Sequence, residues 1–143
     1  MLLELLKKRS SVRNFSEKEI SKEIIEYILE AGRLSPSGGN EQPWKFGVIN
    51  DKNLIKKISL IAYDQHWISE ANLLIVLCAE IVGDERGGRD IQKARFPELR
   101  DEIQDMKGEL YCKLNQEEHQ TKIAGTHMVL AALEHGIGST WVS

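Results

Sequence analysis

The chain has 143 residues, 41% hydrophobic and 29% charged, with a formal net charge of −3. That length suits one domain, 1–143, of ordinary globular composition. The mild acidity, with no long basic run, disfavours a nucleic-acid surface. No stretch reaches the roughly 18 apolar residues of a membrane span, and residues 1–6 are too short and too charged for a signal peptide. Cys78 and Cys112 fit neither a metal spacing nor a disulfide framework. A soluble protein of the reducing cytoplasm is therefore expected, with no metal.

Leu2, Leu3, Leu5 and Leu6 make the apolar face of a short first helix that runs out at residues 7–9. Residues 16–19 (Ser-Glu-Lys-Glu) have the form of a capping box, with Ser16 as the cap. The helix they would open carries Ile20, Ile24, Tyr27, Ile28 and Ala31 at helical spacing, and Gly32 would end it. Two prolines and two glycines make residues 35–43 a loop. Residues 46–50 read as a strand, and Asp51 can cap a helix with Leu54, Ile58 and Ile61 on one face. The apolar run 72–79 suits a strand buried on both faces, which would bury the Cys78 thiol.

Residues 83–88 form a polar turn without the spacing of a nucleotide-binding loop. Residues 90–115 are charged and sparsely apolar, a solvent-facing helix with a break or fresh start at Pro97. Residues 117–135 are a strong helix whose Ala124, Gly125, Ala131 and Ala132 permit a close neighbour, and Gly136 ends it. Residues 139–142 open a further strand. His119, His127 and His135 drift about 80° per step around a helix and share no ligand face.

Two segments carry chemistry. Residues 9–13 (Arg-Ser-Ser-Val-Arg) place two guanidiniums around serine hydroxyls. Arginine forks match phosphate oxygens bidentately, although a solvated basic turn has the same composition. Residues 35–44 (Ser-Pro-Ser-Gly-Gly-Asn-Glu-Gln-Pro-Trp) combine a stiffened backbone with the amides of Asn40 and Gln42. Prolines lower the entropy cost of a fixed shape, and amides can read the edge of a heterocycle. The alternative is a structural loop pinned by Trp44. A phosphate pole and a heterocycle pole together suggest a phosphorylated aromatic cofactor.

Residues 9–15 and 35–44 resemble two patterns of the nitroreductase-like FMN-dependent oxidoreductases, Arg-x-Ser-x-Arg/Lys-x-Phe and Ser-Pro-Ser-x-x-Asn-x-Gln-Pro-Trp. Residues 128–132 and 136–142 resemble that family's interface helix and the segment after it. Residues 71–79 fit its central strand, with Asn72 in place of the usual proline, and His127 stands where many relatives carry an amide.

The resemblance implies an α+β fold: a mixed, largely antiparallel sheet flanked by helices, in a homodimer with FMN at the interface. It implies that Arg9, Ser11 and Arg13 hold the FMN phosphate and ribityl chain, with Ser10 contributing beside them. Pro36, Ser37 and Asn40 would reach the flavin from the other subunit, and Gln42 would make a pyrimidine-edge or structural contact. Gln65 would approach the flavin or serve local packing. Gly138 and the stretch to Ser143 would pass the ring, a backbone N–H there bonding flavin N5.

No side chain is expected to be catalytic, because the flavin carries the redox step. NADH or NADPH would supply hydride, and a nitroaromatic, a quinone or a similar small electrophile would be the acceptor. The family usually continues several tens of residues beyond the position of Ser143, so the domain is expected to be C-terminally incomplete. Two alternatives follow: a non-catalytic flavin-binding or dimerisation remnant, and a specialised relative such as a reductive dehalogenase.

Overall fold

The computed structural model describes residues 2–80, 92–94, 96–107 and 116–142. Its helices are α1 (Leu2–Lys8), α2 (Lys22–Arg33), α3 (Lys52–Ile61), α4 (Arg100–Asp105) and α5 (Gln116–Glu134), and its strands are β1 (Trp44–Ile49) and β2 (Leu74–Ala79). The strands pair antiparallel, from Trp44 opposite Ala79 to Ile49 opposite Leu74. One parallel bridge joins Ser11 to Ser139. Antiparallel pairing, a parallel bridge and flanking helices make the α+β arrangement expected from the sequence.

The core lies where α2 crosses α5 beside the sheet. Ile28, Met128, Ala131 and Ala132 are buried there, with Ile24, Phe46, Ile75 and Leu77 packed around them. Burial of each large apolar side chain contributes about 1.5–3 kcal/mol. Small residues on α5 set the approach distance. A Cβ on Gly125 would stand 2.4 Å from both Leu77 Cδ1 and Trp141 Cη2, so only glycine lets β2 and Trp141 close on the helix. Gly136 ends α5 with φ of 73°, a conformation glycine adopts without strain.

Several sequence expectations need correction. The cap of α2 is Ser21, whose Oγ accepts from Ile24 N at 3.4 Å, not Ser16. The carbonyls of Ser16 and Lys18 instead accept from Asn72 Nδ2, each at 2.7 Å, so a tertiary contact holds this stretch outside the helix. Gly32 does not terminate α2. It is buried, and its missing side chain makes room for Met128.

On α3 the buried face is Ile55 and Ser59 rather than Leu54 and Ile61, which are exposed. The Asp51 cap holds, its Oδ1 accepting from Leu54 N at 2.7 Å. Strand β2 is not buried on both faces. Its exposure alternates, as in an antiparallel pair with one solvated face. Leu77 points to the core, while Val76 and Cys78 face outward, so the Cys78 thiol is exposed.

Pro97 does open a fresh turn, Pro97–Leu99, leading into α4. The polar turn at 83–88, Cys112 and, within the charged stretch, residues 90, 91, 95 and 108–115 lie outside the described residues. Residues 139–142 form no strand beyond the single bridge at Ser139. Among the described residues, no helix is long and apolar enough to cross a membrane.

Candidate functional site

The first cluster is built by the exit from α1. Arg9 N closes the helix on the carbonyls of Leu5 and Leu6 at 3.2 and 3.3 Å. The chain then runs alongside the segment after α5. Val12 N donates to Ser139 O at 3.1 Å, and Thr140 Oγ1 donates to Val12 O. Gly138 makes this approach possible, because a Cβ there would lie 2.7 Å from Val12 Cγ2. Val12, Gly138, Ser139 and Thr140 border a cavity of about 880 Å³ that Phe15 and Trp67 also line.

Arg9, Ser10, Ser11 and Arg13 are all exposed at this cluster. Among the described residues neither arginine has an ion-pair partner. The Arg13 guanidinium lies over the Trp67 ring, 5.6 Å from its centroid. Gln65 lies in the turn after α3, where its Nε2 donates to Ala62 O at 3.0 Å.

The second cluster is the 35–44 loop. It is fastened to α5 at two points. Ser35, only 4% exposed, places Oγ 2.9 Å from His127 Nδ1 and 3.3 Å from Ala31 O. Gly38 N donates to Gln120 Oε1 at 2.7 Å. Within the loop, Gln42 N donates to Ser37 Oγ at 2.9 Å. A short 3-10 turn covers Gly38–Asn40.

Asn40 and Gln42 adopt φ of 57° and 50°. Asparagine tolerates that region, whereas glutamine there is uncommon and stores backbone strain. Pro36, Asn40 and Gln42 are exposed and Ser37 is half-buried. Trp44 is buried and stacks on Phe46 at 6.4 Å, anchoring the loop's end. Gln42, Trp44 and Phe46 line a second cavity of about 480 Å³, walled on α2 by Glu30 and Arg33. Two hydrogen bonds from Arg33, at 2.6 and 2.7 Å, hold the Glu30 carboxyl below its ordinary pKa.

The structure thus joins residues 9–13 to 138–140 and joins the 35–44 loop to α5. No hydrogen bond links the two clusters among the described residues. They also occupy different sides of α5. Gln120 and His127 lie on one stripe, and Gly125, which faces Trp141, is about 150° away around the axis at 3.6 residues per turn. Ser143 lies outside the described residues.

Trp67, Gln120 and the Ser35–His127 contact escaped the sequence reading. The seven-residue spacing of Gln120 and His127 marks a common helix face and was legible. Nothing local ties Trp67 to Arg13. Among the described residues, no cluster of three or more His, Cys, Asp or Glu suits a metal.

The nitroreductase family model matches residues 6–143. The chain belongs to the nitroreductase family. Over 78 residues it is 42% identical to a putative NADH dehydrogenase/NAD(P)H nitroreductase of Archaeoglobus fulgidus, covering 54% of this chain and 45% of that protein. Over 66 residues it is 38% identical to iodotyrosine deiodinase 1 of Mus musculus, covering 46% of this chain and 23% of that protein. An FMN-dependent nitroreductase from Clostridium difficile R20291 superposes with a TM-score of 0.68 at 25% identity, covering 99% of this chain and 65% of that structure. This nitroreductase-family chain therefore spans less than half the length of the curated relatives it matches.

Proposed function

We propose that this protein is an FMN-dependent NAD(P)H oxidoreductase that reduces nitroaromatics, quinones or similar small electrophiles. The observation that carries the proposal is the cluster at residues 9–13. Two exposed guanidiniums, without ion-pair partners among the described residues, flank serine hydroxyls in a segment braced by 138–140 of a nitroreductase-family chain. That donor set fits a phosphate monoester, since charge-assisted hydrogen bonds are the strong ones. Arg9 and Arg13 would hold the phosphate, and Ser10 and Ser11 would bond the adjoining polar chain. Gly138, whose missing side chain makes room for Val12, would keep the 138–140 backbone packed beside the arginine segment, where it can pass the ring. FMN, when bound, would take hydride from NADH or NADPH and deliver the electrons to the acceptor.

Pro36, Ser37, Asn40 and Gln42 would act on a flavin held by a second copy. The anchoring of the loop and of Trp141, which follows residues 138–140, on different sides of α5 supports that division. The working unit in this proposal is a homodimer. Spectroscopy tests the core of it. The purified protein, supplied with FMN, should show flavin absorbance that NADH or NADPH bleaches anaerobically and a nitroaromatic or quinone restores. A protein that stays colourless with added FMN would instead be a dimerisation module without redox activity. Similarity to iodotyrosine deiodinase 1 supports a second reading, reductive dehalogenation. Faster reoxidation by a halophenol than by nitro and quinone acceptors would favour it.

A further inference from the structure

We infer that Trp67 positions the Arg13 guanidinium for a phosphate and thereby sets the preference of this protein for a phosphorylated over an unphosphorylated flavin. The inference rests on the assignment of residues 9–13 to the phosphate. Arg13 is exposed and has no ion-pair partner among the described residues, so no carboxylate there fixes its long side chain. What it does meet is the Trp67 ring, 5.6 Å from guanidinium carbon to centroid. A ring engages the flat face of a guanidinium through its quadrupole, whereas the N–H donors lie in the guanidinium plane. Such a contact holds the cation without placing a carboxylate against its N–H groups, so a phosphate meets no competing anion there. An ion pair in the same place would occupy those groups.

The platform itself is held. Trp67 sits in the 3-10 turn His66–Glu70, whose neighbouring Ile68 is 1% exposed. The turn is closed by Ile68 N on Gln65 O at 3.0 Å and Ala71 N on Ile68 O at 3.1 Å. Phe15 meets the same indole at 6.5 Å between centroids. Arg13 and Phe15, two residues apart, therefore register the 13–15 segment on one fixed ring.

The test compares dissociation constants for FMN and riboflavin in the full chain and in Trp67→Leu and Trp67→Phe, with circular dichroism as a check of folding. Loss of the cation–π contact should lower the FMN-over-riboflavin preference about two- to fivefold in Trp67→Leu, while Trp67→Phe keeps most of it. In an Arg13→Ala background, Trp67→Leu should leave the preference unchanged. If Trp67→Leu does not fold, Trp67→Met, which fills the space without a ring, carries the same comparison. Equal losses for both flavins would make Trp67 a packing residue and overturn the inference while the FMN assignment stands. A wild-type chain that binds neither flavin would overturn both.

Discussion

Gly138→Ala is expected to destabilise the protein by about 2 kcal/mol, and Val12→Ala is expected to relieve part of that loss. A Cβ at Gly138 would meet Val12 Cγ2, Cβ and Cγ1 at 2.7, 3.1 and 3.2 Å, all tighter than ordinary contact. Valine is stiff at χ1, so no single rotation clears three converging atoms. The backbones cannot part freely either, because Val12 N bonds Ser139 O at 3.1 Å and Thr140 Oγ1 bonds Val12 O. Overpacking of this kind costs roughly 1–3 kcal/mol, and a strained backbone hydrogen bond adds about 0.5–1.5. The φ of Gly138 is not in the left-handed region, so alanine returns roughly 0.4–1 kcal/mol through the unfolded chain.

The net corresponds to a fall in melting temperature of roughly 4–8 °C for a chain near this size. Urea unfolding of wild type, both single variants and the double variant completes a cycle. Val12→Ala removes Cγ1 and Cγ2, and a coupling of about 1 kcal/mol or more is expected. Additivity within about 0.3–0.5 kcal/mol would refute the steric account, because the two sites would then not be competing for space.

Arg13→Ala should weaken FMN binding about tenfold or more, with a much smaller effect on riboflavin; equal losses would remove Arg13 from the phosphate. Asp51→Ala should cost about 1 kcal/mol in urea unfolding through loss of the α3 cap at Leu54 N. A maleimide should label Cys78 in the native protein, and peptide mapping that finds it protected would contradict the solvated outer face of β2. Tyr27 donates to Glu134 Oε2 at 2.7 Å, and that bond, then the nearby charge, raises the phenol pKa. Its contribution should be complete below the unfolded value of about 10 and fade as pH rises through the higher folded value. The stability difference between wild type and Tyr27→Phe should therefore be flat to about pH 10 and shrink above it.

What the sequence made legible was local. Asp51 before an apolar period, Gly136 after one and Pro97 inside a charged run act on their own neighbours, and each does in the structure what its chemistry dictates. Expectations failed where a distant group decided the outcome. Asn72 takes the carbonyls around Ser16, so the better-formed capping box loses to Ser21. The uniform apolar run of β2 hides an alternation that only its pairing with β1 and its contact with α5 reveal. The small residues of α5 marked a close contact, but the identity of the partners, Leu77 and Trp141, comes from the fold. For the candidate site, the two motifs were visible as composition, whereas their separation onto different sides of one helix was not.

That separation gives α5 a structural part in any shared site. On one side, Gln120 and His127 fix the loop at Gly38 and Ser35; on the other, Gly125 admits Trp141, which follows the segment bracing residues 11–13. A rigid 19-residue helix thus sets the spacing between the two clusters within each copy. In a homodimer of the kind proposed, the same helix would govern how the loop of one copy meets the arginines of the other. The geometry makes complementation informative. A chain carrying Arg9→Ala and Arg13→Ala, mixed with a chain carrying Asn40→Ala, should regain one intact site per mixed dimer if the clusters act across copies. If they act within one chain, a verified mixed dimer would recover no FMN binding, and the division of labour across α5 would have to be abandoned.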